Sequence, residues 1–429
     1  MSSPRFAFFG NHELSAIFRG RSVPIELADG AIKSGMPWVP TNVCLSASNT
    51  IPPDNPFGPM GETRLMPDPK RRITLPKREG RPAMDVYLAD ITEPDGSFWE
   101  ACGRSQLKRA LKDLEAAGYK LKVGFEHELY INGLTEISAP AYSLPGSRAV
   151  AELASEVLDT LATAGAGLDQ FMSEFGQHQF EVSSPVRGAL KGADEAVFTR
   201  EVIRDAALAR GLRATFAPKP DLSQAGSGVH IHMSLWDTHG APVTGAHDAP
   251  TPVAGAFAAG ILRQIEAVMA YTAPTPNSYD RIAPSSWVGA FNCMGVKNRE
   301  AAIRFVPRAA DKDGNNPAAS MEYRLTDGSA NPYLTLAALI RAGLAGIGDQ
   351  LATPVGVDQD PATLSDEERA ARGIRRVPSS LAQVLDAAEP LAAAWFGETF
   401  WRAYRSVRRN EINDAAKSAD YGAQLARVI

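Results

Sequence analysis

The 429-residue sequence has only three cysteines, Cys44, Cys102 and Cys293, far apart and without the paired spacing of a zinc or redox motif. That scarcity excludes a disulfide framework and fits a reducing, cytoplasmic compartment. No apolar run approaches the ~20 residues of a membrane span, and Met1 to Gly10, followed by Asn11, His12 and Glu13, does not read as a signal peptide. Charge of one sign is also lacking. With 44 basic and 49 acidic side chains the net charge is −5, which argues against nucleic-acid or membrane partners. Neither GxGxxG nor GxxxxGK[ST] occurs, so a nucleotide site has to be built without a Gly-rich phosphate loop. Internal repeats and low-complexity tracts are absent.

What is present is globular: 44% hydrophobic and 22% charged residues, in a chain too long for one ordinary domain. Two domains are expected, residues 1–100 and 101–429. The first reads as short β-rich runs broken by prolines, with Ser46 to Glu62 as a loop. Leu107 to Ala117, ending at Gly118, opens the larger unit as a helix. Further helices are predicted over Arg148 to Ala164, Asp194 to Arg210, Val253 to Tyr271, Tyr333 to Ile347 and Leu381 to Arg409. Between them lie strand-like segments, giving an α+β class rather than a doubly wound sheet.

Four strands carry chemistry on one face, because residues two apart in a strand point the same way. Lys120 to Tyr130 hides Leu121, Val123, Phe125 and Leu129 and presents Glu126 and Glu128. Val229 to Trp236 hides Val229, Ile231, Met233 and Leu235 and presents His230, His232 and Ser234. Around Phe180 and Val182 the other face carries Gln179 and Glu181, with Glu174 shortly before, and in Met321 to Leu325 it carries Glu322 and Arg324. Taken alone, the carboxylate segments read first as solvated or salt-bridged polar faces, and only the histidine pair reads equally well as ligands. Together, five glutamates and a histidine facing one cavity would repel and be costly to desolvate without cations. An oxygen-rich set with one imidazole suits Mg²⁺ or Mn²⁺ better than zinc, and two such ions can clamp a phosphoryl group. Arg281, Arg299, Arg304 and Arg308 form a further cluster, suited to phosphate and carboxylate or, alternatively, to a surface ion-pair network.

These motifs, in this order, resemble the glutamine synthetase family: Gly124-x-Glu-x-Glu, Glu174 then Gln179-x-Glu, Gly226-Ser-Gly-x-His-x-His-x-Ser, Asn277-Ser-Tyr-x-Arg, Asn298-Arg-x-x-x-x-Arg, and Glu322-x-Arg with Asn331-Pro-Tyr. Phe18 to Pro24, Arg64 to Asp68 and Ala403 to Glu411 add weaker likeness. The resemblance implies an N-terminal β-grasp domain and a catalytic domain with a curved antiparallel sheet. It implies ATP as co-substrate, one metal on Glu128, Glu174 and Glu181, and another on Glu126, His230 and Glu322. It gives Arg299, Arg304 and Arg324 to the phosphates, Arg281 and Gly226 to glutamate, Ser234 and Asp169 to the nucleoside, and His232 to the triphosphate region. A ring of subunits, usually a dodecamer with sites between neighbours, comes with the family.

The departures concern the acceptor. The family keeps an acidic residue a few positions after the Asn-Ser-Tyr-x-Arg arginine, whereas this chain runs Arg281-Ile-Ala-Pro-Ser-Ser-Trp287-Val with no carboxylate. The Asp-Gly-Ser-Ser segment of the N-terminal domain is replaced by Ser46 to Asp54, leaving Asp54 or Glu62 as substitutes. Gln224-Ala225 stands where many members carry an asparagine, and Ser320 where an arginine is frequent. A small cation needs anions to replace its hydration, so an organic amine packing on Trp287 is the expected acceptor, as in γ-glutamyl-amine ligases. Ammonia with Trp287 as mere loop packing, and an inactive scaffold or regulator, are the alternatives.

Overall fold

A computed structural model describes residues 3–135, 139–246, 249–307 and 318–429. Strands β1 (Phe6–His12), β2 (Phe18–Pro24), β3 (Met36–Trp38), β4 (Thr63–Leu75) and β5 (Met84–Thr92) form a five-stranded sheet in the order β2-β1-β5-β4-β3. The β1–β5 pair is parallel and the other pairs antiparallel, and the short helix Ala28–Ser34 joins β2 to β3, in keeping with the expected β-grasp unit.

The second sheet takes β6 (Tyr119–Asn132), β7 (Gln170–Ser173), β8 (Gln179–Ser183), β9 (Arg187–Gly188), β10 (Arg213–Thr215) and β11 (Val229–Asp237). A two-strand ladder, β12 (Gly245–Ala246) with β13 (Ala249–Pro250), stands apart. The sheet is completed by β14 (Phe291–Val296), β15 (Ala301–Val306) and β16 (Ser320–Tyr323), in the order β14-β15-β16-β11-β6-β8-β7, with β9 and β10 also on β6. Alternation sets its faces: Leu121, Val123, Phe125 and Leu129 are buried under helices while Glu126 and Glu128 are half-buried. The sheet is antiparallel as expected except at β14–β15, which is parallel.

Two predicted helices are each two helices. Val253 to Tyr271 is Pro252–Arg263 and Ile265–Thr272, bent by 78°. Leu381 to Arg409 is Leu381–Phe396 and Glu398–Lys417, separated by Gly397 at φ 101°, where a Cβ would meet the Glu100 carboxylate. Among the described residues no single helix is long and apolar enough to cross a membrane.

A buried ion network joins the two sheets. Arg104, 1% exposed, donates to Asp194 at 2.8 and 3.0 Å, to Asp90 of β5 at 3.1 Å and to Asp68 of β4 at 2.9 Å. Tyr333 also donates to Asp194. Asn331 caps the helix Pro332–Gly348 and reaches the carbonyls of His12 and Glu13. The acidic face of the second sheet is thereby held on a rigid frame.

Candidate active site

Strand register assembles the site. Glu126 lies opposite His230 on β11 and Ser183 on β8, while Glu128 lies opposite Glu181. Glu322 on β16 lies opposite His232 on one side and Arg304 on the other. Directly opposed residues share a face, so four strands deliver these groups to one surface, and Glu174 follows β7 immediately. His230 Nδ1 is 3.5 Å from Glu126 Oε2, 3.7 Å from Glu322 Oε1 and 3.9 Å from Glu128 Oε1.

The compact ligand groups are Glu126 with Glu181 and His230, and Glu126 with His232 and Glu322, each with donor atoms within 4.8 Å. His232 therefore belongs with the carboxylates more closely than the sequence suggests, its Nε2 2.9 Å from Glu126 Oε1. Its Nδ1 meets Ser320 Oγ at 3.1 Å. Glu128 accepts from the Gly228 N–H at 2.7 Å, and Glu174 from the Tyr142 hydroxyl at 3.0 Å.

Crowding of like charge shows in the titration of the group. Burial, then Glu126, Glu128, Glu174 and Glu322, push Glu181 up to about 9. Burial and the nearby Glu128 raise Glu174 too. Glu126 moves the other way: burial opposes ionisation, but hydrogen bonds with His230 and His232 hold it well below the usual carboxylate range. His230 Nε2 is buried without a partner among the described residues. A dense oxygen donor set with a partnerless imidazole nitrogen fits divalent cations that favour oxygen ligands.

Arginines flank the carboxylates. Both oxygens of the fully buried Glu322 are bonded, one by Arg304 Nε and one by Arg324 Nη1. Arg281, 5% exposed, gives Nη1 to Thr326 O and Nη2 to Arg324 O, each at 3.3 Å. Among the described residues it has no carboxylate within ion-pair distance. It lies so close to Gly226 and Gly228 that a Cβ on either would fall 2.7 and 2.2 Å from it, respectively. Arg299 is exposed, and Arg308 lies outside the described residues. Ser234 is buried and accepts from Trp236 Nε1 at 3.0 Å. Asp169 is exposed beside β8, its N–H on Ser183 O at 2.7 Å. A separate cavity of about 920 Å³ beside Tyr130, Asp221 and Gln224 includes none of the six expected metal ligands.

The segment bearing Trp287 is irregular, with Ser285 at φ 53° and Trp287 at φ 59°. The indole is 65% exposed. Its peptide is gripped from both sides: Arg324 Nη2 donates to the Trp287 carbonyl at 2.5 Å, and the Trp287 N–H donates to Glu300 Oε1 at 2.6 Å. Ser285 Oγ donates to Asp360 at 2.7 Å. The loop contains no carboxylate of its own, but Glu300 and Asp360 reach it from elsewhere in the chain. Only the adjacency of Glu300 to Arg299 could have signalled the first. Asp54 and Glu62 are exposed, the latter paired with Arg64.

Comparison with known proteins agrees with this geometry. Residues 100–421 match the family described as "Glutamine synthetase, catalytic domain", and residues 4–99 match "Glutamine synthetase N-terminal domain". The gamma-glutamylpolyamine synthetase GlnA3 of Streptomyces coelicolor is 33% identical over 86% of this chain and 81% of its own length. The glutamine synthetase of Pyrococcus furiosus is 34% identical over 69% of this chain and 67% of its own. A solved "novel glutamine synthase homolog" superposes with a TM-score of 0.87 at 32% identity, covering 99% of this chain and 98% of that one.

Proposed function

Starting from the fact that this chain belongs to the glutamine synthetase family, we propose that it is an ATP-dependent carbon–nitrogen ligase joining the γ-carboxylate of glutamate to an organic amine. The observation that carries the acceptor assignment is the Trp287 loop, where an exposed indole occupies the position at which the family resemblance leads one to expect an acid. The similarity to a gamma-glutamylpolyamine synthetase supports the same reading.

A carboxylate is a poor acyl donor because oxide is its leaving group, so ATP first phosphorylates it and the amine then displaces phosphate from the acyl phosphate. Glu126, Glu128, Glu174, Glu181, His230 and Glu322 would hold Mg²⁺ or Mn²⁺, which supplies charge neutralisation at the transferring phosphoryl group. Arg281, buried and without a carboxylate partner among the described residues, offers a planar fork for the α-carboxylate of glutamate. Arg304 and Arg324, which converge on Glu322, and the exposed Arg299 are assigned to the phosphoryl oxygens. Asp169, His232 and Ser234 are assigned to the nucleotide, His232 also being within reach of the metal cluster. Residues 1–100 and 101–429 act as the two domains, in a cytoplasmic homo-oligomeric ring.

The test is product identification. Wild-type enzyme with glutamate, ATP and an alkylamine yields the γ-glutamyl amide by mass spectrometry, with one ADP and one phosphate per amide. ATP turnover without amide, or no turnover with any amine, contradicts the proposal.

A further inference from the structure

Glu300 is the one carboxylate in direct contact with the Trp287 peptide among the described residues, and its placement is unlike that of a surface acid. It is 7% exposed, with Oε1 occupied by the Trp287 N–H at 2.6 Å. Its other oxygen, Oε2, is buried and has no hydrogen-bond partner among the described residues. An ionisable oxygen in that state costs free energy that native folds rarely leave uncompensated, because a buried acceptor without a donor loses its hydration for nothing. Burial raises the group's affinity for a proton and Asp360 adds to the effect, while the Trp287 N–H, Arg324 and the Ser286 N–H oppose it.

The surroundings point to a cation. Asp360 approaches the same segment through Ser285, so two acids lie close to one stretch of backbone. Arg324 is the nearby cation, but its three nitrogens are engaged by Glu322, the Trp287 carbonyl and the Arg299 carbonyl. Trp287, whose N–H holds Oε1, is itself 65% exposed. A carboxylate next to an aromatic face is the pairing that recognises alkylammonium ions: the charge goes to the acid, and the methylenes and residual positive field go to the ring.

Building on the ligase reading above, we propose that Glu300 is a specificity-determining residue of the acceptor site, its Oε2 receiving the ammonium group of the incoming amine while Trp287 covers the organic part. The Ser286–Trp287 segment, which holds Oε1, belongs to no strand or helix, and access of the amine to the buried Oε2 requires that segment to move. The substrate class is thereby narrowed to amines that arrive as cations. A structural latch is the competing role, and it differs in one respect: a latch needs only an acceptor for the Trp287 N–H, whereas recognition needs the negative charge.

Glu300→Gln separates the two, since a glutamine carbonyl still accepts that N–H but carries no charge. Wild type and variant are compared with an alkylamine, cationic at neutral pH, and with hydroxylamine, largely uncharged there, at saturating glutamate and ATP. The expected result is that kcat/KM for the alkylamine falls about 100-fold, mainly through KM, with hydroxamate formation from hydroxylamine held within about threefold. Equal losses for both nucleophiles, or no loss for either, overturn the proposal. In wild type, independently of any variant, an unreactive quaternary alkylammonium should compete with hydroxylamine, and absence of competition also overturns it. If wild type consumes ATP with neither nucleophile, the ligase reading itself fails, a result distinct from any difference between variant and wild type.

Discussion

Replacing Arg324 by lysine keeps a positive charge and removes a shape. The guanidinium makes three directional contacts: Nη1 on Glu322, Nη2 on the Trp287 carbonyl at 2.5 Å, and Nε on the Arg299 carbonyl at 3.0 Å. A lysine ammonium is a point charge on a flexible stem and can serve only part of that set. Each charge-assisted bond lost is worth ~1.5–3 kcal/mol before relaxation. A net loss of about 3–4 kcal/mol in the transition state corresponds to roughly 10²–10³-fold in kcat. Because Arg281 and not Arg324 is assigned to the substrate carboxylate, KM for glutamate should change little. The assay is amine-dependent phosphate release under saturating ATP, with thermal melting to confirm that the variant is folded. A folded Arg324→Lys enzyme within about fivefold of wild type would refute the claim that this one side chain couples the carboxylate cluster to the acceptor loop.

Other perturbations have equally definite outcomes. Mn²⁺ at about 100 times its dissociation constant should stabilise the protein by ~2.7 kcal/mol, read as a rise in Tm that His230→Ala abolishes; a shift of equal size in the variant contradicts the metal assignment. Gly228→Ala places a methyl 2.2 Å from Arg281 Nη2, so KM for glutamate should rise at least tenfold (~1.4 kcal/mol) with the fold intact, measured by phosphate release. Burial pushes Glu13 up to about 8 against Arg19, and Glu411 up to about 7 against Arg408. Both values lie above the unfolded carboxylate's, so the folded chain holds these protons more tightly. Their stabilising contribution is full below about pH 4.5 and is lost as pH rises through 7 and 8. Glu13→Gln should flatten the alkaline arm of Tm against pH, and an unchanged slope refutes the assignment.

The sequence made the acidic face legible because β6 and β11 alternate strictly, and alternation in a half-buried strand is a direct record of which side meets the core. Register was not legible. That His232 would reach Glu126 follows from the pairing of β11 with β6 and β16, which no single segment encodes. Helix breaks at Gln264 and Gly397 were missed for different reasons. The first has no glycine or proline to mark it, and the second is fixed by a contact with Glu100 nearly three hundred positions away. Glu300 and Asp360 escaped notice because a carboxylate supporting a loop need not lie in that loop. The strands β14 and β15, which position Arg304, are short and parallel, so a buried apolar run was their only signal.

Whether the acceptor is an organic amine is decided by the ratio of kcat/KM for organic amines to that for ammonia, by phosphate release at saturating ATP and glutamate. The panel spans methylamine, ethanolamine, longer alkylamines and polyamines. At least one organic amine should exceed ammonia by tenfold or more, about 1.4 kcal/mol of transition-state preference, with Trp287→Glu narrowing the gap. Equal or better turnover with ammonia would contradict the account and make the protein a glutamine synthetase in activity as well as in family.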